Sequence, residues 1–237
     1  MRYTNLILTI ITLFLSHSHA NSQEYYDQMD QFLEKYHSKS GLIDYLHIAK
    51  NDATLDSLYT IIGEMNLEEK DDDFLKAFYI NTYNIIVIKQ VVVFYPINNP
   101  FDVNGFFDNI MNFISGFDYT LDELEKRMII PKFEDPRIHF ALVCAAKGCP
   151  AIQQKAFRPE TIEEELVRIT KEVINNPYFV NYENDVLKLS KIFDWYGEEF
   201  TTEGSLIDYI NTYRDEPVAN TSSIEFNEYD WSLNDEK

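Results

Sequence analysis

The chain has 237 residues, with 20 Lys and Arg against 40 Asp and Glu, and therefore a formal net charge of -20. A surface this acidic repels phosphate backbones, so the composition argues against a nucleic-acid-binding protein. It also disfavours anionic membrane surfaces and fits a solvated surface or a cationic partner. Hydrophobic residues make up 45% and aromatic residues 15% of the chain, which is enough for a sizeable core filled largely by rings.

The first 20 residues have the composition and order of a secretory signal peptide. Arg2 supplies the positive charge, the apolar run Leu6–Leu15 follows, and small residues stand at Ser18 and Ala20. The apolar run has about ten residues, whereas a membrane-spanning helix needs roughly 20. We therefore expect cleavage of residues 1–20 near Ala20 and a secreted or periplasmic mature protein.

Residues 21–237 are predicted to form a single domain, because neither a Gly/Ser-rich nor a Pro-rich linker divides them. Within this part, 23–38 and 52–65 repeat apolar side chains at helical spacing, which predicts two amphipathic helices. A much more apolar stretch begins at Asp71 and ends before Pro96. Its length and its acidic start predict a central buried helix. We expect no membrane span in the mature protein.

The middle of the chain is predicted to combine short helices with one strand. A short helix is expected at 106–114, and the capping box Thr120–Glu123 begins another that continues to about Ile130. The apolar run Ile138–Cys144 is rich in strand formers and has a proline on either side. We therefore interpret Ile138–Val143 as a buried strand.

The last third contains both helical and strand signals. These are, in chain order, a charged amphipathic helix at 158–175, a hairpin across 178–189, short helices at 192–200 and 205–213, and a strand at 223–226. The hairpin is indicated by Glu183–Asp185, turn-forming residues between two strand-like runs. The chain as a whole is predicted to be a mainly helical α+β domain with a small antiparallel sheet, built from Ile138–Val143 and this hairpin.

Several motifs resemble, in the same order, the landmarks of the domain of unknown function 547 family. They are Ile43-Asp44-Tyr45, Phe78–Asn84, Val93–Pro96, Asp135–Pro150, Leu189–Gly197 and Tyr229–Asn234. The resemblance covers about 42–234, nearly all of the predicted mature chain. It implies membership of a family without an established activity.

The chain departs from the family pattern in one segment. The family usually has Ile-Glu-His-Gly-Ile-Ile-Arg where this chain reads Leu124–Ile130, so Lys126 stands at the histidine position and Ile130 at the arginine position. If the family's histidine is a general acid or base, the resemblance implies that this chain is altered or inactive.

Cys144 and Cys149 are the two cysteines of the chain, and three interpretations stay open. A disulfide between them would close a very short loop and contribute roughly 2 kcal/mol to stability. Alternatively, Cys144 is a nucleophile whose pKa is lowered by nearby backbone N–H groups, or both cysteines are inert buried thiols. The resemblance implies that the family retains the first cysteine but accepts serine at the second, so a disulfide is not its general requirement.

A cysteine nucleophile needs a base, and His139 is the nearest histidine in sequence. Because side chains alternate along a strand, residues five apart point to opposite faces, which argues against a pair of His139 and Cys144. A bulge, or a strand that ends earlier, removes this objection. His37 and His47 show no spacing that brings them to Cys144. A structural role is the simpler interpretation for each histidine.

Other polar residues in apolar surroundings are candidates for a pocket or for buried structural contacts. Asn81, Tyr83 and Asn84 either line a cleft or tie the central helix to neighbouring backbone, and we favour the structural role because each buried polar group needs a partner. Arg137, beside Asp135, either forms a buried ion pair or binds a substrate carboxylate. Trp195 and Trp231 are interpreted as core or edge-packing residues.

Two functions follow from these observations. The first is a cysteine-dependent hydrolase or acyl transferase outside the cytoplasm, with Cys144 and His139 as catalytic residues. The second is a non-catalytic binding or scaffold domain stabilised by a Cys144–Cys149 disulfide. The pocket candidates for a small-molecule or peptide ligand are Asn81, Tyr83, Asn84, Lys126, Arg137 and Cys149. We expect no metal or cofactor, because the sequence has no metal-ligand cluster, phosphate-binding glycine loop or nucleotide-binding motif.

Overall fold

The computed structural model describes residues 22–38, 40–50 and 53–236, so the predicted signal peptide 1–20 lies outside the described residues. The α-helices are α1 (22–36), α2 (Tyr45–Ala49), α3 (Ala53–Glu64), α4 (Asp72–Phe94), α5 (Leu121–Glu123), α6 (Ile130–Phe133), α7 (Ile162–Ile174), α8 (Ile192–Trp195), α9 (Gly197–Phe200) and α10 (Leu206–Tyr213). A π-helix, Leu124–Ile129, joins α5 to α6, and 3-10 helices cover Pro100–Asp102 and Pro136–Phe140. The strands are β1 (Asn112–Ile114), β2 (Phe117–Tyr119), β3 (Val180–Glu183), β4 (Val186–Leu189) and β5 (Ser223–Phe226). The prediction of a mainly helical α+β fold is confirmed, with the strands in two small sheets.

Helix α4 is the centre of the fold. Its first turn is capped by Asp71, whose side chain accepts a hydrogen bond from the Phe74 N–H. Most of its side chains are buried, and α2, α3, α7 and the π-helix pack around it. Large aromatic side chains fill much of the surrounding core, among them Tyr25, Phe32, Tyr45, Phe106, Phe140, Phe157 and Phe193. The predicted central buried helix is present at almost the predicted boundaries.

By length and composition alone, α4 is also the one helix within the described ranges that could cross a membrane. Most of its apolar stretch is buried inside the protein, as expected for the core helix of a folded domain. A fully buried helix can match a membrane span in length and composition, so the expectation that the mature protein has no membrane span stays a prediction.

The larger sheet has the order β3-β4-β5. Strands β3 and β4 form the predicted antiparallel hairpin, with Asn184 and Asp185 at positive φ in its turn. Strand β5 adds to β4 in parallel, with Leu187 opposite Ile224. The hairpin and the strand at 223–226 are both as predicted. Ile138–Val143, which was predicted to belong to the sheet with the hairpin, does not join it.

The segment Ile138–Val143 is not a strand. Asp135 caps a 3-10 helix that begins at Pro136, and its side chain accepts a hydrogen bond from the Arg137 N–H. The apolar side chains of this helix and the turn after it are buried. A short apolar run fits a buried strand and a buried helical turn equally well, which explains why periodicity gave the wrong prediction.

The helix predicted at 106–114 is wrong. Residues 106–109 form turns, and Asn112–Ile114 is β1, which pairs with β2 in an antiparallel hairpin. Ser115 and Gly116 form its turn, both at positive φ, and such two-residue turns match the twist of paired strands. The segment before Ser115 and Gly116 has only a weak helical pattern, and it forms a strand of the hairpin that these two residues turn.

Candidate functional site

A cleft with a volume of about 530 Å³ opens beside α4, between the π-helix, α8 and the C-terminal segment. Its lining residues come from six parts of the chain. They include Tyr83, Phe101, Asp108, Asp122, Glu125, Lys126, His139, Leu142, Cys144, Cys149, Ile192, Trp195, Tyr196, Tyr229 and Trp231. Of the predicted site residues, the cleft therefore brings together Tyr83, Lys126, His139 and the two cysteines.

One wall of the cleft holds a buried carboxylate between two tyrosines. Glu125, on the π-helix, is only 7% exposed. Its Oε1 accepts a hydrogen bond of 2.9 Å from the hydroxyl of Tyr196, and Tyr83 bonds to the same carboxylate. Burial, reinforced by Glu125, raises the pKa of Tyr83 and of Tyr196 well above the ordinary tyrosine range. Both hydroxyls are therefore donors at neutral pH, and Glu125 is the acceptor.

His139 adjoins this wall and is held from two sides. Its Nε2 lies 2.5 Å from Oε2 of Glu199, and its ring stacks on Tyr196 with 3.6 Å between ring centroids. The side chain is 1% exposed. A buried, stacked and hydrogen-bonded ring is typical of a structural histidine, even though His139 borders the cleft.

The cysteines form a disulfide that faces the cleft. Cys144 and Cys149 are bonded to each other, with their Cα atoms 6.4 Å apart. The Sγ of Cys149 accepts hydrogen bonds of 3.0 Å from the Cys144 N–H and from the hydroxyl of Tyr229. The Tyr229 oxygen also lies 3.2 Å from the Sγ of Cys144. One tyrosine hydroxyl therefore contacts both sulfur atoms.

The C-terminal segment holds Tyr229 in this position. The Lys147 and Gly148 N–H groups donate to the carbonyls of Ser232 and Asp230, each at 2.8 Å. A Cβ on Gly148 would lie 2.8 Å from the Tyr229 ring, closer than van der Waals contact allows. Glycine at this position therefore lets the ring pack directly on the cysteine loop.

A cluster of aromatic rings also lines the cleft. Trp231 lies at the centre of this group, with ring centroids 4.5 Å from Phe101, 4.6 Å from Tyr229 and 5.6 Å from Trp195. Trp195 is 45% exposed and Phe101 is 59% exposed. Trp195 and Trp231 are thus part of the cleft wall as well as packing residues, which their interpretation from sequence did not include.

The charges around the cleft are mainly negative. Asp108, Asp122 and Glu125 line it, against the single ammonium group of Lys126. That ammonium group is 2.5 Å from the carboxylate of Asp122, one turn away on the same helical stretch, and its side chain is 63% exposed. Lys126 consequently offsets only one of the three carboxylates.

Two of the predicted pocket residues, Asn81 and Asn84, do not line the cleft. Their side chains form hydrogen bonds with backbone groups instead. Asn81 bonds to the backbone N–H and carbonyl of Phe157, and Asn84 bonds to the Ala141 carbonyl and the Val143 N–H. Both asparagines are buried, so they tie α4 to neighbouring loops.

Arg137 does not line the cleft either. Its guanidinium donates to Asp135 at 2.6 and 2.8 Å and to Glu163 at 2.6 Å. The hydrogen bond with Asp135 is the main cause that raises the pKa of Arg137 further above its usual range. Of the two interpretations of Arg137, the arrangement therefore matches the buried ion pair.

The remaining histidines of the described chain are elsewhere. His37 contacts the Ile152 carbonyl through Nε2 at 2.8 Å, and His47 pairs with Asp44 at the start of α2. The described residues contain no group of three or more His, Cys, Asp and Glu that could hold a metal ion.

A known protein family matches part of the chain that lines this cleft. Residues 67–174 match the family model described as protein of unknown function, DUF547. The resemblance predicted from the motifs is thereby confirmed for this segment, which contains Phe78–Asn84, Val93–Pro96 and Asp135–Pro150. No curated protein and no solved structure matches the chain.

The segment that matches this family model supplies part of the cleft lining, including Glu125, Lys126 and both cysteines. Lys126, which stands where the resemblance implies the family's histidine, therefore lines the same cleft as Cys144. The rest of the cleft comes from later in the chain, at 192–196 and 229–231.

Sequence reasoning missed Glu125, Tyr196 and Tyr229 as members of one site. They stand on three distant segments, and no local spacing connects them. A signal was nevertheless present, because Tyr196 and Tyr229 belong to the motifs that carried the family resemblance. Glu125 lies beside the altered Lys126 position.

Proposed function

We propose that this protein is a ligand-binding domain whose cleft takes a small organic or peptide ligand with a positive charge. The observation that carries the proposal is the pairing of exposed aromatic rings with the carboxylate of Glu125 in one concave site. Aromatic faces and carboxylates both attract cations, most strongly where the site is shielded from water.

The charge balance supports the cationic class of ligand. Three carboxylates and one ammonium group line the cleft, and the chain as a whole carries -20. A negative cleft in a negative protein attracts cations from solution and repels anions. The wall formed by Phe101, Trp195 and Trp231 would contact the apolar part of such a ligand.

The cysteine-dependent hydrolase or acyl transferase receives less support. Cys144 is bonded to Cys149, so its sulfur carries no thiolate to act as a nucleophile. His139 is buried against Tyr196, with Nε2 bonded to Glu199, and Lys126 occupies the position where the family has histidine. The disulfide-stabilised binding domain fits all three observations.

Tryptophan fluorescence can test the binding proposal, because Trp195 and Trp231 are the only two tryptophans of the chain and both line the cleft. We expect benzyltrimethylammonium to change this fluorescence saturably. Benzyl alcohol is expected to bind more weakly and benzylsulfonate weakest. Glu125→Gln should weaken binding of the ammonium probe by roughly tenfold, because one close charge is lost while the shape is kept.

Glu198→Gln is the matched control, since Glu198 is an exposed glutamate of α9 outside the cleft lining. It should bind the ammonium probe like the unchanged protein. The absence of a saturable change, or tighter binding of benzylsulfonate, would refute the proposal.

We also propose that the mature chain is exported. The apolar run Leu6–Leu15 supports this proposal, because it has the composition of a signal peptide. The disulfide supports it as well, because disulfides persist mainly in oxidising compartments. N-terminal sequencing of the protein recovered from the extracytoplasmic fraction is expected to begin close to Asn21. Recovery of the chain only from the cytoplasm, with Met1 retained, would contradict export.

A further inference from the structure

We propose that the Cys144–Cys149 disulfide is a reactive centre that undergoes thiol–disulfide exchange with a small cationic thiol entering the cleft. This activity goes beyond ligand binding, although it uses the same cleft. It rests on the position of the sulfur atoms and on the hydrogen bonds that they accept.

The two sulfur atoms differ in access and in hydrogen bonding. Cys144 is partly exposed and lines the cleft, whereas Cys149 is 8% exposed. Cys149 Sγ accepts hydrogen bonds from the Cys144 N–H and the Tyr229 hydroxyl, both at 3.0 Å, whereas, within the described part of the chain, Cys144 Sγ has only the same hydroxyl, at 3.2 Å. The cleft therefore presents Cys144 to an attacking thiolate and surrounds Cys149 with donors.

These donors favour Cys149 as the leaving group. A thiolate that accepts two hydrogen bonds is stabilised relative to its thiol, and a more stable thiolate leaves faster. Burial, with Tyr178 and Asp230 adding to it, raises the pKa of Tyr229 above the ordinary tyrosine range. Its hydroxyl therefore keeps its proton and can donate to the sulfur throughout the exchange.

The proposed reaction has two steps. The thiolate of the ligand attacks Cys144 Sγ, a ligand–Cys144 disulfide forms, and the electron pair of the broken bond remains on Cys149 Sγ. A second ligand thiolate attacks the ligand sulfur of this mixed disulfide and releases Cys144 as a thiolate. Two ligand thiols are thereby oxidised by two electrons to one ligand disulfide, while the protein disulfide is reduced and its cysteines take up the two protons.

The charge of the cleft selects among thiols. Asp108, Asp122 and Glu125 outnumber Lys126, so a thiol that carries an ammonium group is attracted and one that carries a sulfonate is repelled. At equal thiolate concentration we expect cysteamine to react fastest, then 2-mercaptoethanol, then 2-mercaptoethanesulfonate. An equal or reversed order would overturn the assignment of a cationic thiol.

The site of attack can be determined in the intact oxidised protein by acid quenching, alkylation with N-ethylmaleimide and peptide mass mapping. We expect the cysteamine adduct on Cys144 and the alkyl group on Cys149. The folded chain should react at least as fast as the chain unfolded in urea. An adduct on Cys149, or more than tenfold protection by folding, would overturn the proposal.

Tyr229→Phe keeps the ring on Gly148 and removes only the hydroxyl, so exchange should slow by roughly tenfold, as expected for one hydrogen bond to a charged group. Tyr182→Phe is the control, because the Tyr182 hydroxyl contacts Asp185 and Ser222 on the β3–β5 sheet and should not affect exchange. Equal rates in the two variants would count against the role of Tyr229. If the unchanged protein binds benzyltrimethylammonium but shows no exchange with cysteamine, this inference is refuted and the binding proposal stays intact.

Discussion

Asp135→Asn is expected to destabilise the protein by about 3 to 5 kcal/mol, because it removes the buried carboxylate that pairs with the largely buried guanidinium of Arg137. Asp135 is 9% exposed, and its carboxylate accepts two hydrogen bonds from the Arg137 guanidinium. It also lies 3.6 Å from the ammonium group of Lys76. The side chains of Arg137 and Lys76 are 17% and 11% exposed, so water can replace the lost carboxylate only poorly.

Glu163→Gln is the matched control for this prediction. Glu163 pairs with the same two cations, at 2.5 Å from Lys76 and 2.6 Å from Arg137, but its side chain is 51% exposed. An exposed partner of this kind contributes at most about 1 kcal/mol. Urea unfolding of both variants measures the difference. Similar losses of stability in the two variants would show that burial of Asp135 does not set the strength of the network.

The helices could be predicted because their signals are local. Amphipathic spacing and the acidic start of α4 give its position, and the capping box at Thr120 gives the start of α5. The hairpin β3–β4 was equally accessible from its turn residues. The structure of 138–143 could not be predicted in this way, because its apolar side chains would be buried both in a strand and in a helical turn. The outcome depends on the cap that Asp135 provides.

The candidate site was predictable only in part for a related reason. Cys144, His139 and Tyr83 stand out as reactive or polar residues within apolar segments, and all three line the cleft. The partners that give them their roles come from distant segments. Glu199 binds His139, and Tyr229 contacts the disulfide across 85 residues of sequence. Only tertiary packing brings such residues together, so spacing along the chain could not separate a structural histidine from a catalytic one.

Asn84→Leu is expected to destabilise the protein by about 2 to 6 kcal/mol, since it leaves two buried backbone groups without partners at about 1 to 3 kcal/mol each. The Asn84 side chain is 2% exposed. Its amide donates to the Ala141 carbonyl and accepts from the Val143 N–H, both at 2.9 Å. Thermal or urea unfolding measures the loss.

Asn81→Leu separates this structural effect from the effect on the cleft. Asn81 makes the same pair of bonds to Phe157, at 2.8 and 3.0 Å, one turn earlier on α4. Both variants should therefore lose similar stability. Because Val143 directly precedes Cys144, only Asn84→Leu should also change the rate at which cysteamine attacks the folded protein. If the two variants changed that rate equally, or neither changed it, α4 would not be holding the cysteine loop in place through Asn84.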